Sequence, residues 1–284
     1  MSSSIPDATH ATPAVAERVA AYQGVKTNKD VAATVGYFSR DLTTYSDAVL
    51  GWKLPSAEAV NGLFSQYMPN WGEGRSYAKK VIGDENGAVV FVTNTPELFG
   101  SEIQTISTID FRDGKIARFV DYWDGRAFGA ELAAQLRVPA AEFPDTFGEE
   151  LLTSSASAEL ASTIDALHDT LTANTAESLS GLLHPDVHFE DFTLRISVRG
   201  RKAVSEYLAT VAKSLPYGAR AQMRHTVGGD LGGAYEWTNP SHAVTRGVTA
   251  IERTDGLISG ITAVWDGTMA DDDTIVALMT AARA

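Results

Sequence analysis

Asp113-Gly-Lys-Ile-Ala-Arg-Phe-Val-Asp121-Tyr-Trp-Asp124-Gly125 returns 142 positions later as Asp255-Gly-Leu-Ile-Ser-Gly-Ile-Thr-Ala263-Val-Trp-Asp266-Gly267. Upstream, Asp47-Ala-Val-Leu-Gly-Trp-Lys-Leu-Pro-Ser56 matches Asp191-Phe-Thr-Leu-Arg-Ile-Ser-Val-Arg-Gly200 at a spacing of 144. Two matches in the same order at nearly one offset identify a duplicated domain, and so long a period excludes a solenoid. The two copies can therefore be compared with each other. Residues kept in both are candidates for scaffold, and residues kept in one are candidates for chemistry.

The chain of 284 residues accommodates two domains of about 140 residues, each large enough for its own core. We divide it into a disordered leader (1–12), a first domain (13–137), a linker (138–157) and a second domain (158–284). The formal charge of −13 disfavours nucleic-acid and anionic-membrane partners, which need a basic surface. No cysteine is present, which excludes thiolate catalysis and cysteine-based zinc sites. Met1 to Thr12 has no apolar signal-peptide core, and no apolar run reaches membrane-spanning length. The expectation is a soluble cytoplasmic protein.

Pro13 opens a helical pattern with Val15, Val19 and Tyr22 on one face, and a short helix carrying Val31, Val35 and Phe38 follows. Tyr45 and Asp47 then share a face of an extended segment, and Ser56 caps a third helix bearing Val60, Phe64 and Tyr67. Four extended stretches follow, with Asp-Glu-Asn-Gly and Asp-Gly turns between them. The second half repeats this order. Each half is therefore α+β, with three helices against one curved antiparallel sheet.

This order, with Phe38-Ser-Arg-Asp41, Phe111-Arg-Asp-Gly-Lys-Ile116 and Asp121-Tyr-Trp-Asp124, resembles the NTF2-like superfamily, in particular its SnoaL-like and ketosteroid-isomerase-like members. The resemblance covers both halves and implies two tandem cone-shaped α+β barrels, pseudo-dimeric within one chain. It places Tyr22 at the isomerase tyrosine, Asp47 and Asp191 at the isomerase base, and Asp121 at the last-strand aspartate of cyclases and epoxide hydrolases. Ser107 and Thr249 stand where the isomerase oxyanion-hole aspartate would be, and Ala88 and Val90 where hydrolases add an Arg and an Asp. Neither set is complete.

Asp121, Asp47 and Tyr22 are thus the expected catalytic residues, with Asp121 replaced by Ala263 and Tyr22 by Leu167 in the other copy. A carboxyl between Phe119 and Trp123 on one strand face would be desolvated, and two such carboxyls would split their pKa values into an acid and a base. Sixteen of the twenty-five aromatics lie in residues 1–142, against seven in 152–284, which favours an apolar pocket in the first domain. Tyr45, Trp52, Phe64, Tyr67, Phe91, Phe119, Trp123 and Gln104 are its expected lining. Asp191, His225 and His242 form a second candidate set; a degenerate second domain is the alternative. His184 and His188 do not make a zinc site, because Pro185 interrupts the helical spacing.

The expected function is cofactor-independent acid–base catalysis on an apolar polyketide-, terpene- or aromatic-like molecule, by isomerisation, cyclisation or a related elimination. Epoxide hydrolysis or epoxide-opening ring closure is a second reading, and a non-catalytic binding or assembly module a third. No metal or cofactor is expected. The partner is a small molecule, and pairing is intrachain, with a homo-oligomer as the alternative.

Overall fold

The computed structural model describes residues 5–173 and 176–282. The first half runs β1 (Asp7–Ala11), α1 (Pro13–Thr27), α2 (Val31–Val35), β2 (Thr44–Asp47), β3 (Trp52–Leu54), α3 (Ala57–Tyr67), β4 (Ser76–Gly83), β5 (Gly87–Asn94), α4 (Pro96–Phe99), β6 (Ile103–Arg112), β7 (Lys115–Trp123) and α5 (Ala130–Leu136). The second runs α6 (Ala158–Ala173), α7 (Ala176–Leu179), β8 (Leu183–Asp191), β9 (Ile196–Arg199), α8 (Arg201–Val211), β10 (Gln222–Gly229), β11 (Gly232–Thr238), β12 (Arg246–Thr254), β13 (Leu257–Trp265) and α9 (Asp272–Ala281). Local chemistry sets several boundaries. Thr12 and Ser56 accept the Val15 and Ala59 amides as N-caps of α1 and α3. Asp113-Gly114 and Asp255-Gly256 all have positive φ, the geometry of a tight hairpin turn, and join β6 to β7 and β12 to β13.

The sheets have the orders β1-β4-β5-β6-β7-β2-β3 and β10-β11-β12-β13-β8-β9. Apart from β1, the two halves share one topology, which is the NTF2-like fold twice over. Two joins differ from the expected antiparallel sheet: β2 runs parallel to β7, and β8 parallel to β13. The connection through the last long strand pair brings the chain back in the same direction as β2. The register sets Asp47 beside Asp121, and Asp191 beside Ala263. The two aspartates of the first domain are therefore strand neighbours, not groups facing each other across the cavity.

The expected leader is only partly outside the described residues. Residues 7–11 form β1, parallel to β4, with Ala11 buried. An open sheet edge supplies backbone partners to any compatible segment, and the Ser/Ala/Thr composition concealed this. The stretch 138–157 is packed as well: Phe147 is buried, and its carbonyl accepts a 2.9 Å bond from Arg118 Nε.

The faces of the two sheets turned away from the helices pack on each other. Ile82, Val89, Phe91 and Val120 meet Val227, Ala234, Val248 and Val264 in one apolar cluster. At its centre the fully buried Arg118 guanidinium grips Glu236 with bonds of 2.7 and 2.6 Å; Tyr122 and Thr108 also donate to Glu236, at 2.8 and 2.6 Å. Burial alone would raise the Glu236 pKa, but Arg118 holds it down at about 2. The repeated Trp-Asp-Gly closes the seam reciprocally. Gly125 N donates to Asp266 and Gly267 N to Asp124, at 3.2 and 3.1 Å. A Cβ at Gly125 would lie 2.5 Å from the Asp266 carboxylate, so glycine is what permits the approach. Such an exchange is the signature of a two-fold relation, here between halves of one chain.

Candidate active site in the first domain

A cavity of about 440 Å³ opens between the concave face of the first sheet and α1, α3 and α5. Val92 on β5, Thr105 and Ser107 on β6, and Phe119, Asp121 and Trp123 on β7 face it, because alternate strand residues share a face. Tyr45, Trp52, Phe64 and Tyr67 complete much of the wall, with Leu132 and Leu136 of α5 at its edge. The Trp52 indole donates to the Leu136 carbonyl at 3.0 Å, tying α5 to the wall.

Asp121 sits inside this apolar chamber. Tyr45 donates to Oδ2 at 2.8 Å and Ser107 to Oδ1 at 2.5 Å. Burial pushes its pKa up, against the pull of Lys26 and of these two hydroxyls. Hydroxyls can donate or accept, so the same two partners serve the carboxylate and the protonated acid. That is what a proton-exchanging group requires.

Asp47 is held differently. Its Oδ1 accepts the Val49 and Leu50 amides at 2.9 and 2.8 Å, and its Oδ2 the Trp123 indole at 2.9 Å. Burial raises its pKa to about 7, opposed by these donors. Every partner is an obligate N–H donor, so the geometry serves the carboxylate alone. Asp191 repeats the arrangement: it accepts the Leu194 amide at 2.9 Å and the Trp265 indole at 3.0 Å. A bond present in both halves is a framework bond. Asp47, though on the cavity wall, fixes the β2–β3 turn against β7 and positions Asp121 beside it.

Three other expected placements are corrected. Tyr22 is buried behind the wall, edge-on to Tyr37 and Phe38 and against Phe119, and its hydroxyl has no hydrogen-bond partner among the described residues. Phe91 points to the opposite face of β5 and packs edge-on against Phe192 in the interdomain cluster. Gln104 is likewise on the outer face of β6, at a polar cleft with Asp124 and Glu190. Strand parity decides both cases: Val90 and Val92 face inward on β5, and Ile103 and Thr105 on β6.

The second candidate set does not assemble. Asp191 is wholly buried, and its remaining lone pairs are taken by Tyr217 at 3.0 Å. Trp237 stands at the position of Val92 and packs at a tilt against Tyr217, so aromatic side chains fill the space that is open in the first domain. His225 lies 2.9 Å from Asp110 in the interdomain seam, and His242 is in a turn where its ring accepts the Val244 amide. No cluster of metal-ligating side chains occurs among the described residues.

Lys26 is the group that sequence reading missed. It lies one helical turn after Tyr22 on α1, is 8% exposed, and lines the cavity. Burial lowers its pKa, while Asp121 pulls it upward. Its counterpart in the second half is Leu171, buried in that core. The signal was available, since Tyr22/Leu167 and Lys26/Leu171 are the same helical face read in the two copies.

The fold and this chamber define a class: two NTF2-like cones fused in one chain, one hollow and acidic inside, the other solid. No family model matches the chain, and no curated protein does. Solved structures resemble single halves of it. A protein with a ketosteroid isomerase-like fold from Catenulispora acidiphila, in complex with trimethylamine, is 19% identical, spans 47% of this chain and 99% of its own, and superposes with a TM-score of 0.36. A protein assigned as a SnoaL-like polyketide cyclase from Shewanella denitrificans is 15% identical over 44% of this chain and 100% of its own, at a TM-score of 0.37. A steroid delta-isomerase from Pseudomonas aeruginosa is 18% identical over 46% and 93%, at 0.35.

Proposed function

We propose that the first domain is a cofactor-independent acid–base enzyme acting on an apolar small molecule, and that the second domain is its structural partner. The Asp121 carboxyl carries this reading: it sits in an open apolar chamber, held by two hydroxyls that suit either protonation state. Its counterpart is Ala263, in a domain whose chamber is filled. Asp121 removes a proton from a bound carbon acid and returns it at another position, or lets a leaving group or ring closure follow. Apolar walls exclude water from the exchange, and Asp47 keeps the carboxyl in register. Isomerisation, cyclisation and elimination of a polyketide-, terpene- or aromatic-like compound all fit these steps.

The test is hydrogen exchange from deuterated water into a panel of enolisable ring ketones. Wild-type protein should catalyse incorporation, and folded Asp121→Asn should lose about 10²–10⁴-fold while still binding the ketone. Equal incorporation by the two proteins would refute the proposal. Saturable binding without exchange by either protein would instead make the domain a binding module.

A further inference from the structure

Lys26 is a charged donor with nothing to donate to. Among the described residues its ammonium forms no hydrogen bond and no ion pair; it lies 6.0 Å over the Tyr22 ring, on the cavity wall. The apolar faces of α1 and the sheet hold its stem. The ammonium opens to the cavity and is not sealed in protein, and a helix position that accepts leucine in the sister domain does not need a lysine for folding. Lys26 and Asp121 act on each other electrostatically, yet no direct contact joins them. Both line the cavity of about 440 Å³, whose open space can hold a ligand that touches the two.

We propose that Lys26 receives the oxygen of a carbonyl substrate, so that the chamber takes ketones, aldehydes or esters bearing an acidic α-hydrogen. This deepens the proposed function and rests on it. In the step, the Asp121 carboxylate takes the α-proton. The C–H electron pair becomes the new C=C bond, and the C=O π pair moves onto oxygen. The ammonium donates a charge-assisted hydrogen bond to that oxygen as its charge develops, without giving up its proton. Return of the proton from Asp121 to the same or a conjugated carbon regenerates both groups. Tyr22, which is not among the residues lining the chamber, contributes the ring face beneath the cation.

The proposal is testable without turnover. A phenolate resembles the enolate in geometry and charge, and the absorbance of para-nitrophenol distinguishes the phenol from the phenolate. Bound to the wild-type protein, it should ionise at a pH at least one unit lower than in solution. Lys26→Met should bind it but lose that shift, and Lys26→Arg should keep a part of it. Asp121→Asn should keep the shift, because the cation remains. The same probe bound to the wild type but un-ionised, or an undiminished shift in both Lys26→Met and Lys26→Gln, would overturn the role of Lys26. Either result leaves the acid–base reading of Asp121 to the exchange experiment.

Discussion

Ser107 and Asp121 face each other across β6 and β7, joined by a 2.5 Å hydrogen bond, and the pair at the same register in the second sheet is Thr249 and Ala263. The backbone frame of the pair is thus present twice and the carboxyl once. The Thr249 hydroxyl is buried with no acid beside it; its neighbour on the facing strand is Tyr235. Four predictions follow from such comparisons between the halves.

Tyr45→Phe keeps the ring against Phe119 and Phe64 but removes one donor to Asp121. That donor stabilises the ionised form, so the Asp121 pKa should rise further. Carbon-NMR titration of the carboxyl would show it, and the acidic limb of the pH–rate profile should move up by the same amount. An unmoved titration would mean that the hydroxyl does not hold the carboxylate.

Asp191 has its pKa raised from 3.8 to about 6, first by burial. Between these values the native state binds more protons than the unfolded chain, so this group's contribution to stability falls as the pH rises from 3.8 to 6. Asp191→Asn, which cannot ionise, should flatten that slope by roughly 2–3 kcal/mol. It should also lose about 1–3 kcal/mol near pH 4, because the amide sets a donor against the Trp265 indole. Urea unfolding at a series of pH values separates the two effects.

Glu236 behaves in the opposite sense. Its pKa falls from 4.5 to about 2, so its stabilisation is complete above 4.5 and is lost as the pH drops through 2. Glu236→Gln takes the closest carboxylate from the buried Arg118 and leaves only the longer pairs with Asp110 and Glu149, at 3.5 and 3.6 Å, at a cost of up to about 3–5 kcal/mol. The double change Arg118→Met with Glu236→Leu should recover only part of this, because Asp110 and Glu149 lose the guanidinium and the Tyr122 and Thr108 hydroxyls lose their acceptor. Guanidinium titrations of the three variants at neutral pH would decide it.

Trp237→Val places the residue of position 92 in the second domain and should open a void there, lowering stability by about 3–5 kcal/mol. No exchange activity should appear at the new space, because Ala263 supplies no acid and Leu171 no cation. Gain of exchange in this variant carrying Asp121→Asn would contradict the assignment of chemistry to the first domain.

Much of the fold was legible because the chain states it twice. The Asp-Gly hairpins, the capped helices and the Trp-Asp-Gly ending are local signals, and their recurrence made them secure. The same comparison picked out Asp121 against Ala263, and one further helical turn would have picked out Lys26 against Leu171. Phe91 and Gln104 were misplaced for a different reason. Seven of the eight residues of β5 are buried because both faces of this sheet are covered, so alternation carries no mark of which face is the cavity. The strand at 7–11 was hidden because its partners on β4 are just over seventy residues away in sequence.

Residue order by itself determined the duplicated architecture and the asymmetry of its acids, since both are matters of local pattern and of identity at equivalent positions. Tertiary structure decided that Asp47 is held by backbone and indole N–H donors and Asp121 by two hydroxyls, that Lys26 and not Tyr22 lines the chamber, and that aromatic rings fill the second cone. Those distinctions depend on which donor lies within about 3 Å of which oxygen. Chain distance does not encode that proximity until the sheet has curved around the helices.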